Sequence, residues 1–191
     1  MSLPSFDPTK AVTFDLARGL VRLDDDSARL LVPATALLAL VKTSGPAGTE
    51  AFARALGEPL GERVARRLSG SEALRASSPD VVLDHLGGEL ALVGLGTLSI
   101  ERWGRALLLM VDRSPIVEDG DASLLTLVLE AALHQATSRV VRCVLLSKGA
   151  QARFLVVGDG AAHQARAWLD SGMSWGEVLA RLHAPSAGGV A

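Results

Sequence analysis

Thr97-Leu98-Ser99-Ile100-Glu101-Arg102-Trp103, then Gly104, then Ala106-Leu107-Leu108-Leu109-Met110-Val111-Asp112 is the stretch that decides the fold. It reads as two strands joined at Gly104. The run Leu107 to Val111 is continuously apolar, which implies a strand buried on both faces. Upstream, Ser78-Pro79-Asp80 has the order of a helix start: a capping serine, a proline at the first position and an acid in the first turn. Val82, Leu83, Leu86 and Leu90 follow, with Gly87-Gly88 weakening the middle. Gly94-Leu95-Gly96 ends this helix. Downstream, Ser114 to Gly120 reads as a loop. Ser123 to Ala136 reads as a helix so rich in Leu and Val that little polar face is left, and such a helix is buried in a core or an interface. Val140 to Leu146 and Gln151 to Val157 read as two more strands, around Ser147-Lys148-Gly149-Ala150.

Toward the N-terminus, Val12 to Leu16 and Leu20 to Leu23 alternate apolar and polar residues around Ala17-Arg18-Gly19, the pattern of a short hairpin. Pro33 opens a helix that runs to about Lys42, and Gly45-Pro46 stops it. A second helix from about Thr49 carries Phe52, Leu56, Leu60, Val64 and Leu68 on one stripe. Gly57, Pro59 and Gly61 lie inside it, so a kink or break is expected there. Ser69 to Ser78 is polar and is expected to be a mobile loop. At the other end, Ala161 to Ser171 is helical, and Ser174 with Glu177 has capping-box spacing at the start of a last helix reaching Leu182.

A length of 191 residues suits one domain. We divide it into an arm (1–10), a core domain (11–157), a C-terminal helical extension (158–184) and a flexible tail (185–191). A hydrophobic content of 49% is that of a folded chain, and a net charge of −2 without any basic run argues against nucleic acid. No apolar stretch is long enough to span a bilayer. The N-terminus lacks a basic region followed by an apolar run, so it does not read as a secretory signal. The single cysteine, Cys143, rules out an intrachain disulfide and fits a reducing, cytoplasmic location.

Catalytic and metal-binding patterns are sparse. Gly94-Leu95-Gly96 follows a helix and lacks a third glycine at the needed spacing, so it fits a tight turn better than a dinucleotide loop. Glu130 and His134 share a helix face and could chelate a metal, but no third ligand is visible; an ordinary surface pair is the simpler account. His163 near Asp159 suits solvation or capping. Asp24-Asp25-Asp26 could hold a cation weakly, although a turn is the simpler use. Cys143 sits in an apolar strand, where a thiol is inert packing. No Gly-x-Ser-x-Gly turn occurs. We expect no enzyme activity and no cofactor. The tryptophans Trp103, Trp168 and Trp175 stand out; Trp168 and Trp175, seven residues apart across Gly172, are candidates for a binding surface or anchors of the C-terminal helices to the sheet.

The order of these features resembles the 4-vinyl-reductase-like domain, a relative of the transport-protein-particle (TRAPP) subunits, from Val12 to Val157. The resemblance rests on the hairpin, Leu31-Val32-Pro33 and its helix, and Ala55-Leu56-Gly57-Glu58-Pro59-Leu60-Gly61. It continues through Gly94-Leu95-Gly96 with the strands to Val111, the helix Leu124 to Leu133, and Arg153-Phe154-Leu155-Val156. It implies an α+β fold, a twisted antiparallel sheet with helices packed on one side, in a domain that often pairs. Metal-binding relatives carry two cysteines near the last hairpin. With Phe154 as the reference, Ala152 stands where the second would be and Val144 falls near the first, with Cys143 one step off, so no zinc is expected; haem-binding relatives need an axial histidine, and the scattered histidines here offer none, so no haem is expected either. The resemblance implies either adaptor work or binding of a small apolar ligand. Our leading expectation is a dimeric, non-enzymatic adaptor or scaffold subunit. It would meet a second copy, a similar subunit or another protein through Leu125, Val128, Leu129, Trp168, Met173 and Trp175. The alternative is a small-molecule sensor with an apolar pocket between helices and sheet.

Overall fold

The computed structural model describes residues 11–23, 28–69, 79–104, 106–119 and 122–183. The expected arm, the acidic triplet Asp24 to Asp26, all of the expected loop Ser69 to Ser78 except Ser69, which ends a helix, and the flexible tail fall outside them. Strands β1 (Val12–Asp15), β2 (Leu20–Leu23) and β3 (Ala28–Arg29) form a small antiparallel sheet. The two-residue β3 is too short to leave a signal in the sequence. Helices α1 (Ala34–Thr43), α2 (Gly45–Ser69) and α3 (Pro79–Leu92) lead to the hairpin β4 (Thr97–Trp103) and β5 (Ala106–Asp112). Next come α4 (Pro115–Asp119), α5 (Ala122–Thr137), the hairpin β6 (Arg142–Ser147) and β7 (Gln151–Val157), and finally α6 (Asp159–Asp170) and α7 (Trp175–His183). The main sheet has the order β4-β5-β7-β6 and is antiparallel throughout. This is the expected α+β class.

Register divides the sheet's side chains between two cores, since directly opposed residues lie on one face. Leu109 is opposite Phe154, which is opposite Leu145. These residues face α2, α3 and α5 in the larger core, with Leu60, Val64, Leu86, Leu90, Leu125 and Leu129. Leu108 is opposite Leu155, which is opposite Val144, and these face Ala162, Ala165, Val178 and Leu179 of α6 and α7. Helices therefore cover both faces rather than one. The continuous apolar run Leu107 to Val111 has this as its physical cause: alternate residues of β5 serve different cores.

Two helical expectations need correction. Gly45-Pro46 stops α1 but also starts α2: Gly45 takes a φ of 70°, and a proline in the first turn forfeits no intrahelical bond. α2 then continues as one helix of 25 residues through Pro59. Its glycines serve close approach rather than a break. A Cβ on Gly57 would stand 2.5 Å from the Val128 carbonyl oxygen, and one on Gly61 would run into the Ala132 carbonyl oxygen. α2 thus lies directly against the α5 backbone. The stretch read as the loop Ser114 to Gly120 contains the short α4. The Ser114 carbonyl accepts the Val117 and Glu118 amides, and Ile116 and Val117 are buried.

Other local expectations hold. Gly94 and Gly96 have φ of 73° and 108°, as the tight turn between α3 and β4 requires. In the capping box, the Ser174 hydroxyl donates to Glu177 Oε2 at 2.6 Å, the Ser174 amide to the same oxygen at 2.8 Å, and the Glu177 amide to Ser174 Oγ at 3.4 Å.

Candidate functional site

A polar cluster lies inside the larger core where α2 meets α3. Arg63 and Arg67 are four residues apart on α2, and His85 and Glu89 are four apart on α3, so each pair shares a helix face. Arg63 Nε donates to Glu89 Oε2 at 2.6 Å, and Arg67 Nη1 stands 2.6 Å from Glu89 Oε1. Glu89 is completely buried, and Arg63 and His85 nearly so. Around them are the leucines and valines of the same two helices, among them Leu60, Val64, Leu68, Leu86 and Leu90. One carboxylate bridging two guanidiniums offsets part of the desolvation cost that each charge would otherwise carry.

His85 is different. Its Nδ1 is shielded from solvent and has no hydrogen-bond partner. A buried imidazole nitrogen without a partner costs free energy, and it can donate to or accept from whatever polar group arrives. Burial pushes the His85 pKa below its ordinary value; Asp84 and Glu89 pull it up and Arg67 pushes it down. The ring is therefore neutral at neutral pH. In chemical terms the cluster offers one hydrogen-bonding nitrogen in a mostly apolar setting, beside a fixed ion triad.

A second feature is an open groove of about 380 Å³ between α2, α5 and β6, lined by Glu50, Arg54, Glu58, Glu130, His134 and Arg142 among others. The helical pair Glu130 and His134 lies here, and both are engaged in structure. Glu130 Oε1 accepts the Cys143 amide at 2.8 Å, and Arg142 and Arg166 reach the same carboxylate at 3.3 and 3.6 Å. His134 Nδ1 is 3.2 Å from the Arg139 carbonyl oxygen. Among the described residues, no three His, Cys, Asp or Glu side chains come together as a metal site. Cys143 is buried on β6 and its pKa is pushed far up by desolvation. It pairs with Val156, whereas Ala152 pairs with Val111, so Cys143 and Ala152 are not cross-strand neighbours.

The six expected partner contacts separate into two groups. Leu125, Val128 and Leu129 are fully buried beneath the chain's own α2 and sheet. The burial that this apolar helix demands is supplied within one chain, without a second subunit. Trp168, Met173 and Trp175 are half-buried on the sheet's second face. The Trp175 ring meets Trp103 edge-on at 5.4 Å and has Arg153 over its face at 5.7 Å, while Arg181 lies 5.5 Å over Trp168. These rings tie α6 and α7 to the sheet and still keep accessible surface. The cluster of Arg63, Arg67, His85 and Glu89 was not singled out from the sequence. Its signal is present as charged or polar residues at four-residue spacing beside each apolar stripe.

Among the described residues, no helix is long and apolar enough to cross a membrane. No family model matches the chain, and no curated protein matches it. Among solved structures, the fold is similar to the crystal structure of the phenol-responsive sensory domain of the transcription activator PoxR with phenol. The TM-score is 0.59 at 15% identity, covering 93% of this chain and 94% of that one. At this identity the likeness establishes a common α+β fold along nearly the whole chain.

Proposed function

We propose that this chain is a non-enzymatic small-molecule sensor. It takes an apolar ligand carrying one hydrogen-bonding group into the interior between α2, α3 and the main sheet. The observation that carries this reading is the buried, unpartnered Nδ1 of His85, beside the Arg63–Glu89–Arg67 ion triad and within the larger apolar core. A hydroxyl-bearing aromatic ring would satisfy that nitrogen and fill apolar space in one molecule. The similarity to a phenol-responsive sensory domain supports the choice of ligand class, and phenols are the first compounds to test. The resemblance to the 4-vinyl-reductase-like domain is part of the same proposal, since ligand binding is one of its two implied roles. The ion triad would hold α2 and α3 in register around the ligand.

The test is a thermal-shift series with phenol and alkylphenols on the wild type and on His85→Phe. A ligand at a hundred times its dissociation constant stabilises by about 2.7 kcal/mol, or roughly 5–10 °C for a chain of this size. The wild type should show such a rise and His85→Phe should lose most of it. Equal shifts in both proteins, or none in either, would count against the reading. The adaptor role is the second reading. The half-buried Trp168, Met173 and Trp175 beside the exposed Trp103 favour it, since aromatic and methionine side chains are enriched in interface cores.

A further inference from the structure

The open groove of about 380 Å³ between α2, α5 and the start of β6 has the volume of a small-molecule site, and it takes no part in the cluster around His85. Helix spacing builds its walls. Glu50, Arg54 and Glu58 recur every four residues along one side of α2. Leu127, Ala131 and His134 share one side of α5 in the same way. Gly57 sets the two helices close: a Cβ there would stand 2.9 Å from the Cβ of Ala131, and Glu58 is the next residue. Val140 and Val141, leading into β6, add apolar surface; Val140 is 70% exposed and Val141 is half-buried. The groove therefore joins an apolar strip to a charged wall.

We infer that the groove binds a small organic cation, a primary ammonium on an apolar body, with Glu58 as its counter-ion. The lining holds three carboxylates, of Glu50, Glu58 and Glu130, against the guanidiniums of Arg54 and Arg142. Both guanidiniums are committed within the chain. Arg54 Nη2 lies 2.6 Å from Glu50 Oε1, and Arg142 reaches Glu130 at 3.3 Å and Asp159 at 2.8 Å. Glu58 is half-buried, and its carboxylate meets no cation or hydrogen-bond donor among the described residues. His134 supplies a second acceptor. Its Nδ1 faces the Arg139 carbonyl oxygen, which only accepts, so in the neutral ring Nδ1 carries the hydrogen and Nε2 is left to accept. An ammonium is purely a donor and matches two such acceptors, and its bond to a carboxylate is charge-assisted. Leu127, Ala131, Val140 and Val141 offer the apolar body a surface. The inference is independent of the sensor reading, since the groove shares no residue with the His85 cluster.

The experiment titrates the nitrogen-15-labelled full chain with benzylamine, and separately with benzoate, at millimolar concentration. Benzylamine should shift the backbone amides of Glu58, Ala131, His134 and Val141 along a single-site isotherm. Benzoate, the same ring with the opposite charge, should leave them in place. Glu58→Gln keeps the shape and removes the charge, and should weaken benzylamine binding by on the order of tenfold. Val140→Lys changes an exposed rim position and should weaken binding through like-charge repulsion, which keeps the inference testable if Glu58→Gln misfolds. Groove amides unmoved by benzylamine overturn the inference. So does benzoate binding there as tightly, benzylamine binding that the folded variants retain in full, or shifts that gather around His85 instead.

Discussion

Glu89→Ala should be among the most damaging single substitutions in the larger core. The carboxylate is fully buried and holds two guanidiniums at 2.6 Å, and Arg63 is itself almost completely buried. Removing it leaves positive charge in a low-dielectric interior without its counter-ion, and breaking one side of a buried pair costs about 3–5 kcal/mol. Domains of this kind have only about 5–15 kcal/mol in total. The melting temperature should therefore fall by roughly 6–20 °C, taking 2–4 °C per kcal/mol at this size. Urea unfolding followed by circular dichroism measures the change, with the slope against urea checked for constancy. A double variant separates charge from volume. Arg63→Met/Glu89→Leu replaces the closest pair by apolar groups and should recover much of the loss, as apolar replacement of buried pairs does elsewhere. A Glu89→Ala protein with wild-type stability would refute the reasoning. So would a double variant whose loss equals the sum of the two single losses, since that would mean the pair is not coupled.

Three further outcomes follow from the same packing. Gly61→Ala should cost about 1–3 kcal/mol, because its Cβ would meet the Ala132 carbonyl and force α2 away from α5; the urea midpoint reports it. The depressed pKa of His85 makes folding pH-dependent. The unfolded chain takes up the proton first, so stability should fall as pH drops through about 6.5 toward the lower folded value and level off below it, with no slope from this group above that range. His85→Gln should flatten that part of the curve, and an unchanged difference in urea midpoint between pH 7.5 and 5.5 would contradict it. Trp175→Ala should destabilise by roughly 1–2 kcal/mol, the scale of a half-buried ring with one edge-on aromatic partner; a calorimetric melt measures this.

Sequence patterns located most elements, for reasons that differ from one to the next. The four strands of the main sheet were legible from Thr97–Trp103, Leu107–Val111 and the runs around Lys148, since strand composition and turn residues bracket each. α5 was legible as a buried helix, but not what buries it. An apolar face carries no label for its cover, and here the cover is α2, brought close by Gly57 and Gly61. Those same glycines were misread as a break, because glycine serves both flexibility and close approach and only the facing backbone distinguishes them. α6 and α7 were legible as helices, while their place on the second sheet face depends on register that no local pattern encodes. The candidate site was the least legible part. His85 and Glu89 look like ordinary helix-surface residues until the face they occupy turns inward onto Arg63 and Arg67.

The sensor reading depends on one nitrogen atom, and nitrogen-15 NMR of the imidazoles observes it directly. The chain has four histidines, His85, His134, His163 and His183, so their signals can be assigned by single substitutions. Titrating the full chain with phenol should move the His85 ring nitrogens, saturate at one equivalent per chain, and leave the exposed His163 in place. An unmoved His85, with phenol either unbound or shifting only His134, His163 or His183, would contradict the account.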